Sequence, residues 1–564
     1  MQVKGSAANL AALLFLFVCS VVPFLAAARF GIVNCDDYDY LKFASDSARS
    51  VFGLEQAIFM PVTWLTYRLD LFASSCLGVE AAHLMHVQSI FWHGLNAVLF
   101  YLVLTRLFPS AGRVGIVFAV LAWSCHPLRV ESVVWVSSRK DVVSLCFLLG
   151  AWLAWLSCRR SRSAAAYVLS LALMTIGCAA KPSAMVFPVM AALADLCLLG
   201  ERCLLTLRER PLAALAYGPH LFVALVTAAL ASYAQGYGGA MDVQASVPLW
   251  WRLCNAVSSV GVYLVNSVLP LGLAPQCLIR WPGMPRAFLL NSAVCLAALG
   301  FAGLLLRRWR QSESRPMFCG LAVFLLTLVP FLGIVGFGLH AYADRFTYIP
   351  SLGLSIMLVW LFAKAGRAAL PCGLALVAVL GVLTSRQTRP WADDGALWAR
   401  TLEVDGPSNC EALINLGFYH YEFTHDLDRA ADCLRRAYAL NPKRCGRGLH
   451  VLLLALCEKG DREGAREAYM DLTAWNTREV EAAQRRGERI GSTLGFRIGR
   501  AVYLKDNPEM AKLVRDELAW LRANIPDNIH VKYLQHLFGE LRAEDVITDD
   551  PCEYMQYRFL RLPK

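Results

Sequence analysis

The chain has 564 residues, a hydrophobic share of 57% and a formal net charge of +11. Soluble chains hold about 45–50% apolar residues; the excess here lies before about residue 390, so that part reads as an integral membrane domain, with length left for a second domain after it. The positive charge is scattered through short loops between apolar runs, which excludes nucleic acid as the partner.

In chain order, apolar runs recur near 10–28, 89–105, 114–125, 142–157, 164–179, 184–199, 212–232, 288–306, 317–337, 348–363 and 369–384. Each approaches the length needed to cross a bilayer as a helix, which predicts about eleven spans. Residues 10–28 read as an uncleaved first span rather than a signal peptide. The stretch 256–273, with Asn266 and Pro270, reads as a re-entrant or broken helix. The segment 29–88 reads as the first outer loop, with an amphipathic helix marked by Phe59, Trp64, Leu65, Leu69, Leu71 and Phe72.

The loops between the runs alternate in kind. Arg106 to Arg113, Arg159 to Arg162, Arg202 to Arg210, Arg307 to Arg310 and Lys364 to Arg367 are short basic clusters, as on a cytoplasmic face. The intervening loops carry mixed polar chemistry: Asn34 to Asp39, His126 to Asp141, Lys181-Pro182, Arg280, and His340 to Arg345. The alternation puts these on the opposite, outer face, and an odd span count puts the C-terminus there too.

Adjacent carboxylates repel, so one of Asp36 and Asp37 has a raised pKa, or the two share a proton or a divalent cation. A general base for glycosyl transfer is such a carboxylate; a solvated turn is the bland alternative. His126 to Asp141 is denser. Arg139 and Lys140 are candidates to hold a phosphate, and Arg129 with Glu131 a candidate orienting pair. Lys181, Arg280 and Asp344-Arg345 add cations to the same face. Lys181 is the strongest phosphate candidate, since it has no acidic neighbour in sequence. His86, His93 and Asn96, at helical spacing, read as packing residues. The 19 Cys form no CxxC pair and read mostly as small buried hydrophobes, and no compact His/Cys set predicts zinc.

After about residue 385 the composition turns charged and helix-forming. Leu416-Gly417, Tyr419, Ala430, Leu434, Ala437 and Pro442 fit one tetratricopeptide-type hairpin with an extra residue in its turn. Leu456 to Asp461, Ala465 and Tyr469 fit a second, and a degenerate third spans 511–526. The predicted domains are therefore 1–388 and 389–564.

These same motifs carry a family resemblance. Asn-x-Asp-Asp after the first span is followed by Pro61-Val62-Thr63-Trp64-Leu65-Thr66-Tyr67-Arg68-Leu69, then His86, His93 and Asn96. Next come His126-Pro127-Leu128-Arg129-Val130-Glu131-Ser132-Val133, Ser138-Arg139-Lys140-Asp141, Ala180-Lys181-Pro182 and Ala343-Asp344-Arg345-Phe346-Thr347-Tyr348-Ile349-Pro350, with repeats after them. The order resembles the transmembrane and tetratricopeptide-repeat-containing O-mannosyltransferases and their bacterial relatives. Ser89 departs from the family, which often carries Asn there, and the repeat array is short.

The resemblance implies an all-α protein with a GT-C type membrane domain, Asp36 and Asp37 as the catalytic motif, and Arg68 within the matched outer loop. It implies transfer of a sugar, read as mannose, from a polyprenyl-phosphate carrier to Ser/Thr of a protein acceptor held by the repeats. The setting would be the lumenal face of the endoplasmic reticulum membrane or the periplasmic face of a bacterial inner membrane. Another sugar, or a lipid or glycan acceptor, is the runner-up among enzymes. A non-catalytic membrane-anchored scaffold has no use for the outer-face charges. A transporter would gather charges near the bilayer midplane instead.

Overall fold

The computed structural model describes residues 2–47, 49–53, 58–199, 211–237, 247–275, 277–278, 287–309, 314–334, 340–442, 445–461 and 463–468, with isolated positions elsewhere. The fold is all-α. Among the described residues the only strands are β1 (Cys277–Leu278) and β2 (His340–Tyr342), paired antiparallel. The chain divides into two compact units, Met1–Asp405 and Gly406–Lys564.

The first unit opens with α1 (Gln2–Val21), α2 (Asp37–Ser45), α3 (Pro61–Leu77) and α4 (Ala81–Leu107). Segment 29–88 is thus largely helical. On α3, Trp64, Tyr67 and Asp70 face inward while Leu65, Leu69 and Phe72 are exposed, which is the two-sided pattern expected of it. α4 begins before the apolar run and buries His86, His93 and Asn96 as packing residues: His93 bonds Tyr348 Oη and Ser124 O, and Asn96 donates to Val142 O.

α5 (Arg113–Ser124) and α6 (Val130–Val134) follow, bent by 56° at the 3₁₀ turn that starts at Pro127. Proline lacks the N–H that would continue α5. His126 caps the turn by accepting from Leu128 N–H through Nδ1. Then come α7 (Arg139–Ser161), α8 (Ala164–Ala180), α9 (Phe187–Leu199), α10 (Gly218–Tyr237) and α11 (Leu249–Val268). The expected interruption of 256–273 falls at Pro270 and not at Asn266. α11 runs unbroken through Asn266, and Pro270 lies beyond its end, where Leu269 takes the non-helical backbone usual before a proline.

α12 (Phe288–Arg307), α13 (Ser314–Leu328), α14 (Ser351–Ala365), α15 (Ala369–Thr388) and α16 (Asp394–Asp405) complete the unit. α13 and α14 cross backbone to backbone: a Cβ on Gly353 would lie 2.2 Å from Gly320 O. Gly320 and Gly353 permit that approach because they lack side chains. Gly366, at φ +55°, ends α14.

Among the described residues, seven helical stretches are long and apolar enough to cross a membrane, or up to eight if the bent α5–α6 pair counts as one. The expectation was about eleven. α8 and the helix over 182–197 are apolar but shorter, and 351–392 counts as one stretch although Gly366 divides it. Outward faces are apolar, with Leu289 76% and Leu296 63% exposed on α12. Leaving such side chains in water costs about 1.5–3 kcal/mol each, so these helices suit a membrane protein.

In the second unit, α17 (Cys410–Tyr419), a π-helical turn (His420–Thr424), α18 (Leu427–Leu440) and α19 (Gly446–Lys459) follow in order, each helix packed on the next. Ala430, Leu434 and Ala437 are buried, and Gly417 lies against Leu434, where a Cβ would approach to 2.6 Å. The expected third hairpin, 511–526, and Tyr469 lie outside the described residues.

Candidate active site

The carboxylate pair sits where the chain turns from the first apolar helix into α2. Asp36 has φ +69°, a left-handed conformation that costs a non-glycine residue about 1 kcal/mol or more and concentrates at functional sites. The turn sends the neighbours different ways: Asp37 is buried and Asp36 exposed. Asp37 Oδ1 accepts the Ser137 N–H at 2.8 Å and the Ser137 hydroxyl at 2.5 Å, and Oδ2 accepts the Val33 N–H at 3.2 Å. Burial pushes the Asp37 carboxyl up to about 7, against the downward pull of these hydrogen bonds. The Asp36 carboxylate has no hydrogen bond or ion pair among the described residues.

Trp135 packs against the loop that carries the pair. Its indole N–H donates to Cys35 O at 2.7 Å, and its ring stacks on Trp391 at 5.9 Å. Two cations lie over the Trp135 ring, Lys140 at 5.7 Å and Arg345 at 5.1 Å. Lys140 Nζ donates to Tyr40 Oη at 2.8 Å and has no carboxylate within ion-pair distance among the described residues. Burial, then the charge on Asp36, push the Tyr40 phenol well above its ordinary value, so it stays a neutral acceptor. Asp36, Asp37, Asp141 and Arg345 all lie within Coulombic reach of Lys140.

The remaining expected residues divide into neighbours of this cluster and braces elsewhere. Arg345 donates to both oxygens of Glu131, through its backbone N–H at 2.8 Å and its guanidinium. This corrects the expected Arg129–Glu131 pair, and Asp344 does not hold Arg345 either. Residues two apart on a helix do not face each other. Arg129 instead donates to Thr347 O at 3.0 Å and Thr347 Oγ1 at 2.8 Å, fully buried. Lys181 is also corrected: Asp141 holds its ammonium at 2.5 Å, forty residues away in sequence. Arg139 pairs with Asp70 at 2.5 Å and donates to Met85 O.

Arg68 donates to Asp46 O and Arg49 O and ties down the loop after α2, while His126 contacts Ser267 O on α11. Both brace backbone away from the carboxylates. Asp344 is buried among Glu131, Arg129 and Arg345 charges, and burial raises its carboxyl well above the ordinary range. Arg280 lies outside the described residues.

A divalent cation fits the pair poorly. Both Asp37 oxygens already face N–H and O–H donors. Among the described residues no group of three or more His, Cys, Asp or Glu is arranged to hold a metal.

Sequence reasoning missed Tyr40, Trp135, Ser137, Trp391 and Asp394. Asp394 Oδ1 accepts the Asn34 N–H at 2.5 Å and so anchors the loop before the pair. Ser137 lay inside the dense 126–141 run. Trp391 and Asp394 fall beyond residue 388, on the far side of the expected domain boundary.

Set against models of known protein families, the chain matches none, and no curated protein matches it.

Proposed function

We propose that this protein is a membrane glycosyltransferase that moves a sugar, mannose by resemblance, from a polyprenyl-phosphate carrier to a Ser/Thr hydroxyl of a protein acceptor. The observation that carries the reading is the asymmetry of the carboxylate pair. Asp37 is locked by Ser137, while Asp36 is exposed, without a partner among the described residues, and close to an ammonium that lacks a carboxylate of its own.

In this account Asp36 takes the proton of the acceptor hydroxyl. The hydroxyl oxygen bonds to the sugar's anomeric carbon from the face opposite the phosphate. The bond from that carbon to the phosphate oxygen breaks, its electron pair stays on the phosphate, and the configuration inverts. Lys140 and Arg345 stabilise the charge that builds there, and they do so more strongly than in water because the surroundings are apolar. Asp37, Ser137 and Asp394 hold the loop so that Asp36 keeps its place.

The same reading takes the chain as eleven spans with a cytoplasmic N-terminus. The carboxylate pair and the C-terminal hairpins then face the lumen or periplasm. The hairpin α17–α18 is read as one tetratricopeptide-type repeat of an acceptor-binding array. The test is transfer by solubilised full-length protein from polyprenyl-phosphate-linked mannose or glucose to Ser/Thr peptides. Absence of transfer from either donor, with the protein folded, would leave the scaffold reading.

A further inference from the structure

The first unit has a second cationic concavity apart from the Asp36–Lys140 cluster. A cavity of about 480 Å³ lies between the end of α15, the start of α16 and the turn over 270–272. Arg386, Arg389 and Arg400 line it. Arg400 is paired with Glu403 at 2.8 Å, and that carboxylate is 69% exposed. The Arg386 and Arg389 guanidinium groups are exposed and have no hydrogen bond or ion pair among the described residues.

The walls are built to stay open. Gln387 donates to Leu273 O at 3.2 Å, which fastens the turn to α15. Pro270 offers no N–H, and Gly272 takes φ +68°, so the turn closes without filling the cavity. Beside it lies an apolar lip, with Val268 78%, Leu269 60% and Leu271 66% exposed. Trp391 and Asp394, on the same connection, face the Asp36 loop instead.

Arg386 and Arg389 leave uncompensated positive charge at the cavity beside the Glu403-paired Arg400, and an anion with several oxygens offsets it. The guanidinium fork matches phosphate oxygens in pairs. The apolar lip suits a phosphate that arrives with acyl or prenyl chains rather than alone. We propose that this cavity binds a phosphate group at a site separate from the one that takes the sugar donor. The site does not depend on the chain being a transferase.

The test uses the purified full-length chain in detergent, with bound phosphatidylglycerol and phosphatidylcholine counted by native mass spectrometry. The wild type retains phosphatidylglycerol preferentially. R386A/R389A loses the preference by about tenfold for each arginine, and R386Q/R389Q does the same with side-chain volume kept. R386K/R389K keeps part of it, since the charge remains and the fork does not. A second arm adds inorganic phosphate to delipidated protein. Binding that is lost in the double variants makes the ligand a soluble phosphate; its absence, with lipid retention still dependent on the arginines, makes it a lipid headgroup. Equal phosphatidylglycerol retention by wild type and both double variants, with no arginine-dependent phosphate binding, overturns the proposal.

Discussion

Ser137 gives both its backbone N–H and its hydroxyl to one oxygen of Asp37, across one hundred residues of sequence. The contact joins the start of α2 to the turn before α7, and so joins the carboxylate pair to the cations Arg139 and Lys140 that begin α7. A loop after the first apolar helix is thereby fixed on the packed core.

The pH dependence follows from that contact. Asp37 is raised to about 7 by burial, above the roughly 3.9 of an unfolded Asp. The folded state therefore binds the proton more tightly, and this contribution to stability is fully present below pH ~4 and lost as pH rises through ~7. Activity runs the other way. Protonation below ~7 weakens the hold of Ser137, so kcat/KM falls on the acid side. Ser137→Ala removes a bond that lowers the Asp37 pKa, and the acid limb moves to higher pH. A pH profile of the two proteins checks this; superimposable acid limbs would show Asp37 does not titrate in the working range.

Lys140 and Lys181 should separate by phenotype. Lys181→Ala leaves Asp141 buried without its partner and destabilises the protein by about 3–5 kcal/mol, read as a lower thermal midpoint. Lys140→Ala keeps every ion pair described here and raises KM for the lipid-linked sugar about tenfold. Thermal unfolding in detergent with donor titration distinguishes them. A normal donor KM in a folded Lys140→Ala protein would remove that ammonium from phosphate binding.

Truncation at the two boundaries should give opposite results. Ending the chain at residue 388 removes Asp394 and Trp391, hence the anchor on Asn34 and the stack on Trp135, and transfer to short peptides is lost. Ending it at Asp405 keeps both, so peptide transfer persists and only protein acceptors are used less well. Equal peptide transfer by the two truncations would make α16 dispensable.

The all-α class and the membrane character were legible because apolar run length is a local property, and so was the gathering of charge near Asp36 and Lys140. Partner choice was not. Lys181 looked unopposed because Asp141 is remote in sequence, and Arg129 looked paired with Glu131 because they are close in it. Tertiary packing decided both. Asn266 looked like a break in an apolar run, but one polar side chain does not remove a backbone hydrogen bond, so α11 continues. Asp394 was missed because composition changes before the fold does.

Sidedness can be read from a pair of thiols. Cys410 Sγ lies 3.4 Å from Cys445 Sγ, both buried, at the starts of α17 and its near neighbour α19. On an outer, oxidising face they become a disulfide; facing the cytoplasm they stay reduced. Alkylation and peptide mapping of protein taken from cells under acid quench decides it. Reduced thiols throughout would place the second unit in the cytoplasm and make the span count even.

The central claim is that Asp36 is the base of a glycosyl transfer. Its most direct test measures single-turnover transfer from polyprenyl-phosphate-linked mannose to a Ser/Thr peptide by wild type, Asp36→Asn and Asp39→Asn, each with donor binding measured separately. The account predicts that Asp36→Asn binds donor normally and transfers two to four orders of magnitude more slowly, roughly the size of a general-base contribution, while Asp39→Asn stays near wild type. Wild-type transfer rates in a folded, donor-bound Asp36→Asn protein would contradict it.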